Sequence, residues 1–167
     1  MKSLVLAAAL AITLAATATT AFADIKVGDH FVELDAKTAK GKNFRLKELA
    51  GKWVLFSFGA DWCKPCHKEL PAWDGVAPTF QGKVLFVAVD IDDDAATGQK
   101  FVSSLNLKHL FPVFMPADGS TALGSYDPSH MPSTFVIDPK GIVRYIHLGY
   151  DKGDEAELSK AVADLIK

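Results

Sequence analysis

Cysteine is scarce in this sequence: two residues in 167, Cys63 and Cys66, three positions apart. A disulfide-stapled fold is excluded, because exported proteins of that kind spread several cysteines along the chain. A bridge closing so short a loop also adds little. The chain-entropy relation gives about 2 kcal/mol for four residues, against roughly 4.7 for 100. A zinc site would lack a second cysteine pair, so imidazoles would have to complete it. Chemistry explains the pair better than structure does.

An excess of positive charge is missing too. With 18 basic and 20 acidic side chains the net charge is −2, and no basic stretch marks a nucleic-acid partner. Past residue 23 no apolar run approaches the roughly 20 residues of a membrane span. Internal repeats, low-complexity segments and linkers are absent. The acids gather only at Asp90 to Asp94 and Asp151 to Glu157.

The first residues have their own pattern. Lys2, the apolar run Leu4 to Leu14, and small residues on either side of Phe22 (Ala21 and Ala23) form a secretory signal peptide. Residues 1–23 are expected to be removed, leaving 24–167 as one domain large enough for its own core. An uncleaved N-terminal anchor is the alternative. No cysteine near the cleavage point offers a lipid attachment.

In the rest of the chain, His30 to Asp35 alternates like a half-buried strand, and Phe44 to Leu46 can pair back across the turn at Lys40 to Asn43. Trp53 to Phe58 and Val84 to Asp90 are continuous apolar runs, as strands covered on both faces are. A helix is expected near Cys63, with Pro65 in its first turn and a bend or break at Pro71. Ala95 to Leu105 reads as a helix with Phe101, Val102 and Leu105 on one face. Pro112 to Phe114 is a short extended piece. Thr134 to Ile137 and Ile142 to Leu148 form an antiparallel pair, and Glu155 to Ile166 is a terminal helix. The order predicts an α/β fold, a mixed central sheet flanked by helices with an N-terminal β-hairpin.

A cysteine at a helix start faces unpaired backbone N–H groups and the positive end of the helix dipole, which favour the thiolate. Cys63 is therefore the candidate nucleophile, with Lys64 adding positive charge. Cys66, one turn on, is the buried partner that resolves a mixed disulfide, and Trp62 shields the pair. A structural disulfide, a zinc half-site and a copper site are the competing readings. His30, His67, His109, His130 and His147 are scattered. His67, next to Cys66, tunes the thiol or meets solvent, and the others read as surface residues.

The stretch Gly59-Ala60-Asp61-Trp62-Cys63-Lys64-Pro65-Cys66-His67-Lys68-Glu69-Leu70-Pro71 resembles the active site of thioredoxin-like proteins. Its trailing Lys-Glu-Leu-Pro is most similar to the TlpA/ResA branch of exported thiol–disulfide reductases. The resemblance spans roughly residues 25 to 166, taking in Leu49-Ala50-Gly51-Lys52, Val87-Ala88-Val89-Asp90 and Met131 to Asp138. It implies a thioredoxin fold and a cis proline at Pro132 facing the dithiol. The backbone of Met131 would then be free to pair with an extended substrate segment. Trp62, Lys64, Pro65 and Met131 are the candidate substrate contacts.

The sequence departs from thioredoxin in two places. Ser57 stands where thioredoxin has a buried Asp, six residues ahead of the first cysteine, and the spacer is Lys-Pro instead of Gly-Pro. The Pro-x-x-x-Thr-x-x-Cys pattern of a peroxiredoxin is absent. The branch's reductases place an acid after the second apolar strand, where it would exchange a proton with the buried thiol Cys66; it aligns on Asp93, with Asp92 and Asp90 as runners-up. A solvated acidic turn is the alternative there. The resemblance implies a monomeric periplasmic enzyme with no cofactor beyond its redox-active disulfide. Its partners would be disulfide-containing exported proteins, such as apocytochrome c or copper-site proteins, and a membrane thiol electron donor. An oxidase or isomerase using the same motif, and a copper metallochaperone, are the alternatives.

Overall fold

The two strongest apolar runs form neighbouring parallel strands at the centre of the sheet. A computed structural model describes residues 24–115, 121–126 and 130–167. The expected signal peptide lies outside the described residues. The strands are β1 (Ala36–Thr38), β2 (Asn43–Phe44), β3 (Trp53–Gly59), β4 (Val84–Asp90), β5 (Phe111–Phe114), β6 (Ser133–Ile137) and β7 (Val143–Leu148). The helices are α1 (Cys66–Val76), α2 (Ala95–Ser104), α3 (Thr121–Ser125) and α4 (Asp154–Leu165). The sheet order is β2-β1-β5-β4-β3-β6-β7. β3, β4 and β5 run parallel, while β6, β7 and the N-terminal hairpin are antiparallel to their neighbours.

Alternation along β3 separates two cores. Phe56 and Phe58 point to one face, where their rings meet Phe135 of β6 and Tyr126, the residue after α3. The Tyr126 hydroxyl donates to Val32 O. Ser57 and Gly59 point to the other face, beneath α1 and α2. There a Cβ on Gly59 would come within 2.8 Å of Leu70 Cδ1 and 3.5 Å of the Phe101 ring. Among the described residues no helix is long and apolar enough to cross a membrane.

The structure corrects several expected elements. His30 to Asp35 is not a strand: His30 forms only an isolated bridge to Ile142, and the hairpin begins at Ala36. Alternation there reflects a chain segment laid along the core, with Leu34 fully buried. The piece around Pro112 is a full parallel strand against β4. Residues 121–125 form a helix that the sequence reading left out. α1 continues through Pro71 to Val76. Proline inside a helix costs about 3 kcal/mol, and the burial of Leu70 and Trp73 on either side opposes the break.

Beyond Pro71, Asp74 fastens α1 to the segment entering β5. Its carboxylate accepts from the backbone N–H groups of Lys108, His109 and Leu110 at 2.7 to 3.0 Å. Burial acts upward on this acid, but the three amides outweigh it and hold its pKa below the ordinary 3.8. Asp74→Ala is expected to lower stability by about 1–2 kcal/mol at pH 7, read by urea denaturation. A depressed acid contributes above its unfolded pKa and ceases to as pH falls through the folded value. The gap between wild type and variant should therefore narrow as pH falls below 3.8.

Candidate active site

Three segments meet at one edge of the sheet. β3 and β4 end side by side, Gly59 opposite Asp90. β6 begins there in the opposite sense, Ser133 opposite Phe58. The dithiol turn, the loop after β4 and the Met131-Pro132 bond, which is cis, therefore share the C-terminal edge of the parallel strands. Open α/β sheets place their active sites at this edge.

Cys63 and Cys66 are joined by a disulfide, with their Cα atoms 5.3 Å apart. Cys63 sits in the turn ahead of α1, and its carbonyl accepts from the Cys66 N–H at 3.0 Å. The helix starts at Cys66, three residues later than expected, with Pro65 as its cap at φ −63°. The same Cys66 amide points at Cys63 Sγ, 3.3 Å away. An N–H at a helix start aimed at sulfur stabilises a thiolate there. Cys66 is fully buried and Cys63 nearly so. Cys66 Sγ lies 4.0 Å from Phe58 O.

The other expected site residues are placed as follows. Trp62, directly before Cys63, is 62% exposed. Lys64 and Pro65 are exposed, Met131 is half-buried and Pro132 is buried. Gly149 N–H donates to Pro132 O at 2.8 Å, tying that loop to the end of β7. His67 Nε2 lies 2.8 Å from Asp61 O, and its ring packs 4.8 Å from Phe101. His147 is not a simple surface residue: it pairs with Asp154 at 3.0 Å, with 15% of its side chain exposed. Asp93 is exposed on its loop. The buried acids of that run are Asp90 and Asp92, the two runners-up. The carboxyl of Asp90 is pushed up to about 8, by burial first and then by contact with Asp92. Among the described residues no three His, Cys, Asp or Glu side chains are grouped to hold a metal ion.

Glu69 was missed. It is fully buried and sits three residues after Cys66, so the two side chains are neighbours on one face of α1. Its Oε2 accepts from Ser57 Oγ at 2.6 Å, and its Oε1 from Thr134 Oγ1 at 2.9 Å. Thr134 in turn accepts from Trp73 Nε1 at 2.9 Å. Burial pushes the carboxyl from 4.5 up to about 7, against these hydrogen bonds and with help from Asp154. Ser57, which stands where thioredoxin has its buried Asp, is the donor that orients this acid. A signal was present in the sequence: a lone acid at helical spacing with Cys66, Leu70 and Trp73.

A profile of the AhpC/TSA family matches residues 27–146. The chain belongs to the AhpC/TSA family. Ala60 stands where that peroxiredoxin pattern needs its Thr. Among curated relatives, thioredoxin-like protein YneN of Bacillus subtilis is 30% identical over 126 residues, covering 75% of this chain and 73% of its own. The thiol-disulfide oxidoreductase ResA of Bacillus cereus is 36% identical over 119 residues, 71% of this chain. That match spans 65% of the relative's own length, just under two-thirds. A solved structure of a putative thiol:disulfide interchange protein DsbE from Chlorobium tepidum superposes with a TM-score of 0.78 at 23% identity. It covers 86% of this chain and all of that one, and it establishes the thioredoxin-like fold. With these relatives and the Cys63–Cys66 pair at the sheet edge, the protein is a thiol–disulfide oxidoreductase.

Glu69 also makes stability depend on pH. An acid whose pKa is raised on folding stabilises fully below its unfolded value, and that contribution is lost as pH rises through the folded one. Between about pH 4.5 and pH 7, wild type should lose roughly 3 kcal/mol relative to Glu69→Gln. Urea denaturation of the two oxidised proteins across that range measures the difference.

Proposed function

We propose that the protein is an exported reductase of disulfides in periplasmic partners, with Glu69 as the proton acceptor for Cys66. The observation carrying this reading is a buried carboxyl near neutrality, one helical turn from the resolving sulfur. The Cys63 thiolate attacks one sulfur of the partner's disulfide. A mixed disulfide forms, and the partner's other sulfur leaves as thiolate. Cys66 then gives its proton to Glu69 and attacks Cys63 Sγ. The Cys63–Cys66 disulfide closes, the second partner thiolate leaves, and two electrons have passed to the partner.

Charge favours the reducing direction. Glu69 lies one helical turn after Cys66 and Asp61 two residues before Cys63; acids this close disfavour negative charge on the reduced sulfurs and lower the reduction potential. Export rests on the leader pattern of residues 1–23. The substrates proposed are apocytochrome c or copper-site proteins, and a membrane thiol donor restores the dithiol. Thioredoxin and the strong periplasmic oxidant differ by about 150 mV, roughly 7 kcal/mol for two electrons, so the potential decides the direction.

Cys63→Ser should abolish disulfide reduction, while Cys66→Ser should accumulate mixed disulfides with partners. Glu69→Gln should slow resolution at neutral pH about 100-fold, the lower end for lost general-base catalysis. The couple's potential, read by equilibration with a dithiol buffer, is expected below about −200 mV. A value near −120 mV would make the protein an oxidase. Faster alkylation of Cys66 than of Cys63 would reverse the two roles. Tight stoichiometric copper on the purified reduced protein would favour the metallochaperone reading.

A further inference from the structure

The end of β4 holds a second buried acid site that this cycle does not use. Asp90 is 2% exposed and Asp92 6%. Asp92 N–H reaches Asp90 Oδ1 at 3.3 Å, so the two buried acids sit side by side at the strand end. Asp90 Oδ2 is buried with no donor among the described residues. On its far side, Asp92 Oδ2 accepts from the backbone N–H of Asp61 at 2.9 Å. Asp61 lies two residues before Cys63.

The fold accommodates this acid closely. A Cβ on Gly98 of α2 would fall 1.9 Å from Asp90 Oδ1, so the helix approaches as near as glycine allows. The neighbouring charged groups do not neutralise the pair. From the loop after β3 comes Asp61, another acid, whose carboxylate is 4.0 Å from His67 of α1. From the loop after β4 comes Asp93, and from β1 comes Lys37, both lining the same cavity of about 200 Å³. α2 contributes Gly98 and Gln99, and β5 contributes Phe114, with Met115 just beyond it. Among the described residues, no cation is within ion-pair distance of Asp90 or Asp92.

Two buried carboxylates side by side without a cation repel, and a single proton held between them turns repulsion into a hydrogen bond. That proton also gives the orphaned oxygen a role, as donor instead of acceptor. We propose that Asp90 and Asp92 share one proton, and that this proton locks Asp92 onto the Asp61 amide and so positions the turn bearing Cys63. Asp90 is a positioning residue, acting on the dithiol through Asp92 and Asp61. When the proton leaves, two like charges face each other, Asp92 turns away and the turn loosens. Burial and the Asp92 contact place this loss at about pH 8.

The inference rests on Cys63 being the reactive thiol of the reading above, so its test avoids protein substrates. Amide hydrogen exchange of Asp61 and the rate of Cys63 alkylation by iodoacetamide are followed from pH 6 to 10 in the reduced protein. In wild type, the Asp61 protection factor should fall tenfold or more as pH passes 8. The alkylation rate should depart from a simple thiolate titration over the same interval. Asp90→Asn keeps a donor toward Asp92 but has no proton to lose, so its protection should stay level to pH 10. Asp92→Ala removes the acceptor and should be unprotected at every pH. Carbon-13 titration of the wild-type carboxyls gives a reading independent of any variant, with one proton of the pair retained well above pH 6. Level protection in wild type, or the same fall in Asp90→Asn, or both carboxyls ionised at pH 6, would overturn the proposal. A wild type that shows the fall but reduces no disulfide supports the clamp and overturns only the functional reading.

Discussion

The site depends on keeping a carboxyl group dry. Glu69 is fully buried, with Ser57 and Thr134 donating to its two oxygens. Those hydrogen bonds favour the charged form and burial favours the neutral one, and burial prevails. The balance near neutrality is what lets one group accept a proton and release it again. Every element that screens it from water therefore contributes to the chemistry. α1 supplies the acid, β3 and β6 supply the hydroxyls, and Trp73 holds Thr134 in place. A leak at any of these points would return the acid to its ordinary range.

The thioredoxin-like fold brings these pieces together through topology. Parallel β3 and β4 end level, so the turn after one and the loop after the other touch. β6 enters from the opposite direction and delivers Pro132 and Thr134 to the same region. No two of these segments are adjacent in sequence. Their convergence explains how a two-cysteine motif acquires a buried acid, a proline loop and a second acid pair.

Much of this was legible in the sequence, and the omissions have physical causes. The apolar runs of β3 and β4 were unmistakable, because strands covered on both faces need no alternation. The dithiol stood out because only two cysteines exist. Glu69 stayed hidden because a charged residue within Lys68-Glu69 looks solvated until the helix face is drawn, and burial of an acid runs against the usual preference. In the acidic run after β4, the alignment points to Asp93. Burial separates Asp90 and Asp92 from Asp93, and it follows from the close approach of α2 at Gly98, which no local pattern reveals. The N-terminal hairpin was displaced for a similar reason. The alternation of His30 to Asp35 marks a segment lying along the core, and only the cross-strand partners decide where pairing starts.

Asp74 carries a mechanical consequence. It fastens α1 near its far end to the entry of β5, while Glu69 in its first turn and Trp73 farther along secure it to β3 and β6. The helix is a beam gripped along its length, and only the turn ahead of it lies beyond the grips. Making or breaking the sulfur bond can then displace little more than residues 60–65. An oxidised and a reduced copy would present almost the same outline to the surroundings. A protein that must meet an electron donor in one state and an acceptor in the other has to tell them apart at this small rim, where Trp62 and Lys64 stand exposed.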